Sequence, residues 1–134
     1  MFYDREKNEP VVFDWQGASL GRGPYDLAYL LAGGYSPEFR RQHEDRLLKR
    51  YHEVLVDEHV RNYSLEDVHS DYRFGMVYSL WVVPFTAILD LSSERGQALV
   101  TKIIGGLFAA ISDHAGDELL ESLFPEVPAR SIAI

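Results

Sequence analysis

No cysteine occurs among the 134 residues, which excludes disulfides and thiolate metal sites and fits a reducing compartment. Positive charge is also scarce. Lys and Arg number 13 against 21 Asp and Glu, a net charge of −8 with His neutral. A surface of that sign repels phosphate backbones, so nucleic acid is not an expected partner, whereas a cationic molecule would be tolerated. Long apolar runs are missing too. The longest uncharged stretch, Gly75 to Leu89, contains Pro84 and falls short of the roughly 20 residues that cross a bilayer. It reads as a buried core helix, and no membrane partner is expected. Met1-Phe2-Tyr3-Asp4-Arg5-Glu6 lacks the basic-then-apolar order of a signal peptide, so the cytoplasm is the expected address.

Apolar residues make up 46% of the chain and aromatics 13%, enough to bury one core and too much for a disordered segment. Phe2-Tyr3 and Val11-Val12-Phe13, separated by a charged turn-forming piece, predict a β-hairpin within residues 1–16. Gly17 to Pro24 is a loop by composition. Helical patterning then runs over 24–124. A short apolar helix spans Tyr25 to Leu31 and ends at Gly33-Gly34. Ser36-Pro37 starts a long amphipathic helix whose apolar face carries Phe39, Leu47, Leu48, Tyr51, Val54 and Leu55. Ser64-Leu65-Glu66-Asp67 opens a third helix in the manner of a capping box, and Pro84 should kink or break it. Leu99, Ile103, Leu107 and Ile111 mark a fourth, from about Glu94 to His114. Gly116 ends that helix, Asp117 to Phe124 forms a last short one, and 125–134 is a tail. The expected fold class is mainly α with an N-terminal β-hairpin, in one unit.

The segment richest in chemistry is Val11-Val12-Phe13-Asp14-Trp15-Gln16, followed by the glycine loop and then Asp26-Leu27-Ala28. An apolar strand that ends in a carboxylate delivers it to the rim of a sheet, where it can hold a divalent cation. Magnesium takes hard oxygen ligands, usually one or two carboxylates plus phosphate oxygens. A strand that simply ends in a polar residue is the competing explanation of Asp14. This arrangement resembles the second half of the phosphotransferase motif of the aminoglycoside phosphotransferase and choline kinase families, which share a protein-kinase-like α+β fold. The resemblance implies that the chain is a C-terminal-lobe portion of that fold. It implies a parent enzyme that uses ATP and magnesium to phosphorylate a hydroxyl of a small molecule. Asp14 would bind the magnesium that bridges the nucleotide phosphates, and Asp26 would be the structural anchor that caps its helix and braces the catalytic loop.

The resemblance also sets an expectation about what precedes the hairpin. The family's His-x-Asp and the Asn five residues after that Asp would lie ahead of Met1, and so would the nucleotide-binding lobe. No catalytic base is therefore expected within these residues, and the chain alone is expected to be inactive. Tyr72, Tyr78 and Trp81 lie on the helix where the family builds its acceptor pocket, and Asp67 and Asp71 sit one turn apart there, placed to meet a cationic acceptor. Core packing and a solvated face, respectively, are the competing readings. His52-Glu53 with His59 lacks the i, i+4 spacing of a zinc-protease helix. Gly17, Gly21 and Gly23 precede no Lys-Ser or Lys-Thr pair, which excludes a P-loop. The alternative to a kinase portion is a non-catalytic helical module from the same family. Its hairpin edge or apolar Gly75–Leu89 region would serve self-association or a partner chain.

Overall fold

A computed structural model describes residues 2–13, 18, 20–86 and 91–114. It is mainly helical behind a two-stranded antiparallel hairpin, the class that the patterning predicts. The strands are β1 (Phe2–Asp4) and β2 (Glu9–Val11), paired Phe2 to Val11, Tyr3 to Pro10 and Asp4 to Glu9. The second strand lies earlier than its apolar residues suggest, so Val12 and Phe13 follow it and stand exposed. The turn sets this register. Asp4 Oδ1 accepts from the backbone N–H of Glu6 (2.9 Å) and Lys7 (3.1 Å), while Asn8 takes φ 54° and its side chain accepts from the Tyr3 hydroxyl at 2.6 Å. Pro10 is tolerated because a two-stranded sheet has only edges.

Helix α1 (Pro24–Gly34) is the centre of the molecule and packs most extensively on α3 (Leu65–Tyr78) and α5 (Glu94–Asp113). Its buried Ala28, Leu31 and Ala32 form a stripe at helical spacing. Small residues on the neighbours let the backbones approach. A Cβ at Gly75 of α3 would stand 2.9 Å from the Ala28 Cβ, and one at Gly106 of α5 would stand 2.0 Å from the Ala32 carbonyl oxygen. The helix ends at Gly34 with its cap at Tyr35, at the glycine pair expected to stop it. Lys102 of α5 donates to the free Gly34 carbonyl at 2.7 Å, which supplies the missing terminal partner.

Helix α2 (Pro37–Asp57) begins as predicted, with Ser36 Oγ accepting from the Phe39 N–H at 3.2 Å and Pro37 in the first turn. Its packed face differs from expectation. Leu48 is buried, whereas Phe39 and Val54 are exposed and Arg40 is enclosed in their place. The helix ends with His59 at φ 64°, Val60 N–H on the Leu55 carbonyl (2.9 Å) and His59 N–H on that of Val56 (3.0 Å), a Schellman closure. Helix α3 has the full capping box between Ser64 and Asp67. It stops at Tyr78, earlier than Pro84 would dictate. A 3₁₀ turn (Ser79–Trp81) follows, in which Ser79 Oγ donates to the Gly75 carbonyl at 2.7 Å, and Pro84 sits harmlessly in the short α4 (Val82–Thr86). Helix α5 starts at an Ser93 cap that accepts from Gly96 N–H at 3.1 Å. Leu107 and Ala110 are its buried residues beside Gly106, and Leu99 is exposed. The expected last helix and tail, at 117–134, lie outside the described residues. No helix among the described residues is long and apolar enough to cross a membrane.

Candidate functional site

The glycine loop enters α1 beside the end of α2 and the start of α3, and a cleft of about 440 Å³ opens there. Its walls are Pro24, Tyr51, Leu55, Val60 and Tyr63, and its polar groups come from Arg22, Asn62 and Asp67. The loop that forms one wall is held in shape. Asn62 takes φ 57°, and His52 Nε2 donates to the Tyr63 carbonyl at 3.0 Å, which requires the proton on that nitrogen.

Beneath the cleft lies Asp71, only 4% exposed. Each of its oxygens has its own donor. Arg22 Nη1 bonds Oδ1, and the Tyr63 hydroxyl donates to Oδ2 at 2.5 Å. The Asp71 hydrogen bond and charge raise Arg22 further above its ordinary range. Burial, with the Asp71 hydrogen bond behind it, pushes the Tyr63 phenol well above the ordinary tyrosine value. Asp67 does different work. Its Oδ2 accepts from the Ser64 N–H and hydroxyl, both at 2.7 Å, and those bonds hold its carboxyl below the usual range. The two carboxylates one turn apart are therefore not a matched pair. Asp71 is already paired with Arg22 and Tyr63, and Asp67 is a helix cap at the cleft edge.

The three aromatic candidates also separate. Tyr72 is fully buried, its hydroxyl donating to Glu44 Oε2 at 3.0 Å, so it belongs to the core. Tyr78 and Trp81 are half-exposed and extend an aromatic face from α1. Tyr25 lies 5.3 Å from Tyr78 and 5.4 Å from Phe74 between ring centroids, and Tyr29 stacks on Trp81 at 6.3 Å. Asp26 sits in the first turn of α1 as a helix-start carboxylate, but exposed. The N-cap is Gly23, with no side-chain cap hydrogen bond, and the N–H groups of Tyr25 and Asp26 go instead to the carbonyls of Arg22 (3.0 Å) and Gly23 (3.1 Å). Among the described residues the Asp26 side chain makes no hydrogen bond that would cap the helix. Asp14, Trp15 and Gln16 lie outside the described residues.

Sequence reasoning passed over a second polar cluster. Arg40 is 1% exposed and donates to Glu44 Oε2 at 2.7 Å and to Asp113. Arg41 adds two bonds to Asp113, at 2.7 and 3.2 Å. His114 Nε2 lies 3.1 Å from Glu44 Oε2 and 3.2 Å from Arg40 Nη1, an acceptor and a donor, so it serves one of them at a time. Arg22, Tyr63 and Arg40 carried one weak signal, a lone charged or phenolic residue beside glycines or on an otherwise mixed helix face.

The described residues thus form a mainly helical chain behind a two-stranded antiparallel hairpin. The model of one family, DUF1679, described as "Uncharacterized oxidoreductase dhs-27", matches residues 2–112, and the chain belongs to that family. No curated protein and no solved structure matches it.

Proposed function

We propose that the chain is the substrate-side part of an ATP- and magnesium-dependent phosphotransferase that acts on a hydroxyl of a small molecule. The observation behind this reading is one ordered pattern: strand, Asp14-Trp15-Gln16, glycine loop, Asp26-Leu27-Ala28. The folded elements run in the same order, with a hairpin ending at Val11 and a helix whose first turn carries Asp26. Asp14 would ligate magnesium. A single carboxylate at a strand end suits a cation shared with nucleotide phosphates, the usual magnesium pattern in phosphoryl transfer. ATP would be held largely by residues that the resemblance places ahead of Met1, together with the catalytic Asp and Asn.

Of the proposed acceptor residues, Asp67 at the cleft and Tyr78 and Trp81 on the aromatic face stay accessible, whereas Asp71 and Tyr72 are committed to the interior. The word oxidoreductase in the family description belongs to the protein it names. In this chain Gly17, Gly21 and Gly23 lack the G-x-G-x-x-G order of a dinucleotide site, and the described strands form an antiparallel pair, not a βαβ unit.

A second reading, a helical binding or dimerisation module, is favoured by the exposure of Tyr3, Val11, Val12 and Phe13 along the hairpin. Assay and sequence separate the two. The 134-residue chain alone should transfer no phosphate, and the frame upstream of Met1 should stay open and encode His-x-Asp with Asn five residues after the Asp. In that longer protein Asp14→Asn should lower turnover more than about tenfold, or roughly 1.4 kcal/mol of barrier. An upstream stop codon, together with concentration-dependent dimerisation in sedimentation, would favour the module instead.

A further inference from the structure

We propose that Arg22, seated on the buried Asp71, anchors the end of the glycine loop and the start of α1, the helix start that the resemblance would have Asp26 cap. Resting on the phosphotransferase reading only for what the loop serves, it makes Arg22 a positioning residue for the start of α1, where the Tyr25 and Asp26 N–H groups meet the Arg22 and Gly23 carbonyls.

The geometry argues from the inside outward. Asp71 is a buried carboxylate on α3, and a carboxylate in that position needs a cation or several donors. Tyr63 meets one oxygen, and the cation for the other comes from the loop, 49 residues away in sequence. Arg22 is itself 67% exposed in its side chain, so burial of its own surface does not dictate where it lies. The ion pair does. One residue later the backbone is gripped again. A Cβ at Gly23 would stand 1.9 Å from the Tyr51 hydroxyl oxygen, so only glycine lets Tyr51 close over this point, and Pro24 behind it is buried. Immediately upstream the grip ends. Leu20 and Gly21 are exposed, and a Cβ at Gly21 would meet nothing within 4 Å. Residues 22–24 are therefore the fixed end of the loop. Asp26, with no hydrogen bond from its side chain to any described residue, does not share in that grip.

Hydrogen exchange on the full 134-residue chain tests the anchor. Arg22→Ala should speed exchange of the Tyr25 and Asp26 amides at least about tenfold, while Val68 and Met76 on α3 change less than about threefold. Asp71→Asn should have the same local effect. Arg22→Lys should restore near-native exchange, because the contact uses a single nitrogen that an ammonium can replace. Asp26→Ala should change it less than about fivefold, the most that a lost helix-dipole contact accounts for. An unchanged loop in Arg22→Ala, an equal effect of Asp26→Ala, or uniform loosening of α3 would each overturn the proposal.

Discussion

Replacing Arg40 by Met should destabilise the protein by about 2–3 kcal/mol. The starting point is the cost of removing one partner of a buried ion pair, about 3–5 kcal/mol, because the partners stay behind uncompensated. Two features of the cluster reduce it. Glu44 keeps His114 at 3.1 Å and the Tyr72 hydroxyl at 3.0 Å, and Asp113 keeps both bonds from Arg41. Arg40 Nε is also buried without a hydrogen-bond partner, and its removal returns about 1 kcal/mol. Met fills most of the vacated space, so cavity formation adds little. Against a total stability of about 5–15 kcal/mol the loss is large, and it should lower the melting temperature by about 8–12 °C.

Urea denaturation is the decisive assay, since a shift in midpoint at constant slope separates stability from a change of denatured state. Arg50→Met is the control. Arg50 meets Glu53 at 3.2 Å with both side chains mostly exposed, and its loss should stay within about 0.5 kcal/mol. The acid limb gives a second readout. Burial pushes the Glu44 carboxyl up, but the hydrogen bonds from His114, Arg40 and Tyr72 outweigh it and hold the group below its ordinary 4.5. A carboxyl depressed in the folded state contributes its full stability above the unfolded value and loses it as pH falls through the folded one. Acid unfolding of the native protein should thus set in below about pH 4.5, and Arg40→Met should move it upward. An Arg40→Met variant within about 0.5 kcal/mol of native, with the same acid limb, would refute the view that this cluster ties α2 to α5.

Further expectations concern helix packing and capping. Gly106→Ala should cost about 1–2 kcal/mol, because overpacking against the Ala32 carbonyl at 2.0 Å exceeds the gain in helix propensity. Gly105→Ala, with nothing within 4 Å, should instead stabilise by up to about 1 kcal/mol, and thermal melts of the pair test the sign. Asp67→Ala should lower the melting temperature measurably through the lost capping box. Asp26→Ala should cost about 0.3–1 kcal/mol through the helix dipole alone, and that difference should fade in 1 M salt, where the screening length falls to about 3 Å.

Local chemistry was legible in the sequence wherever partners are near neighbours. Ser36-Pro37 and the Ser64–Asp67 box carry their hydrogen bonds within three residues, and both helices begin where those residues say. Boundaries set by geometry were less readable. The end of β2 depends on how Asp4 and Asn8 shape the turn, and the pairing that results leaves Val12 and Phe13 beyond the strand despite their β propensity. The end of α3 depends on Ser79 folding back on Gly75, a local competition that acts before Pro84 is reached.

The hidden part of the site is long-range by nature. Arg22 and Asp71 are 49 residues apart, and Arg40 and Asp113 are 73 apart. In sequence each looks like a charge on a polar surface, because periodicity reports which face a residue occupies and not which opposite charge another helix brings to it. The two acids on α3 illustrate the consequence. Asp67 and Asp71 share one face by spacing, yet one caps its own helix and the other is a buried counter-ion for a loop. Their difference arises from where α1 lies. Gly75 and Gly106 bring α3 and α5 onto Ala28 and Ala32, and that close approach carries the loop end, with Arg22, over Asp71. The small residues that let α1 enter the core thus also assemble the buried pair, so packing, and not the spacing of the acids, decides which carboxylate is left to face the cleft.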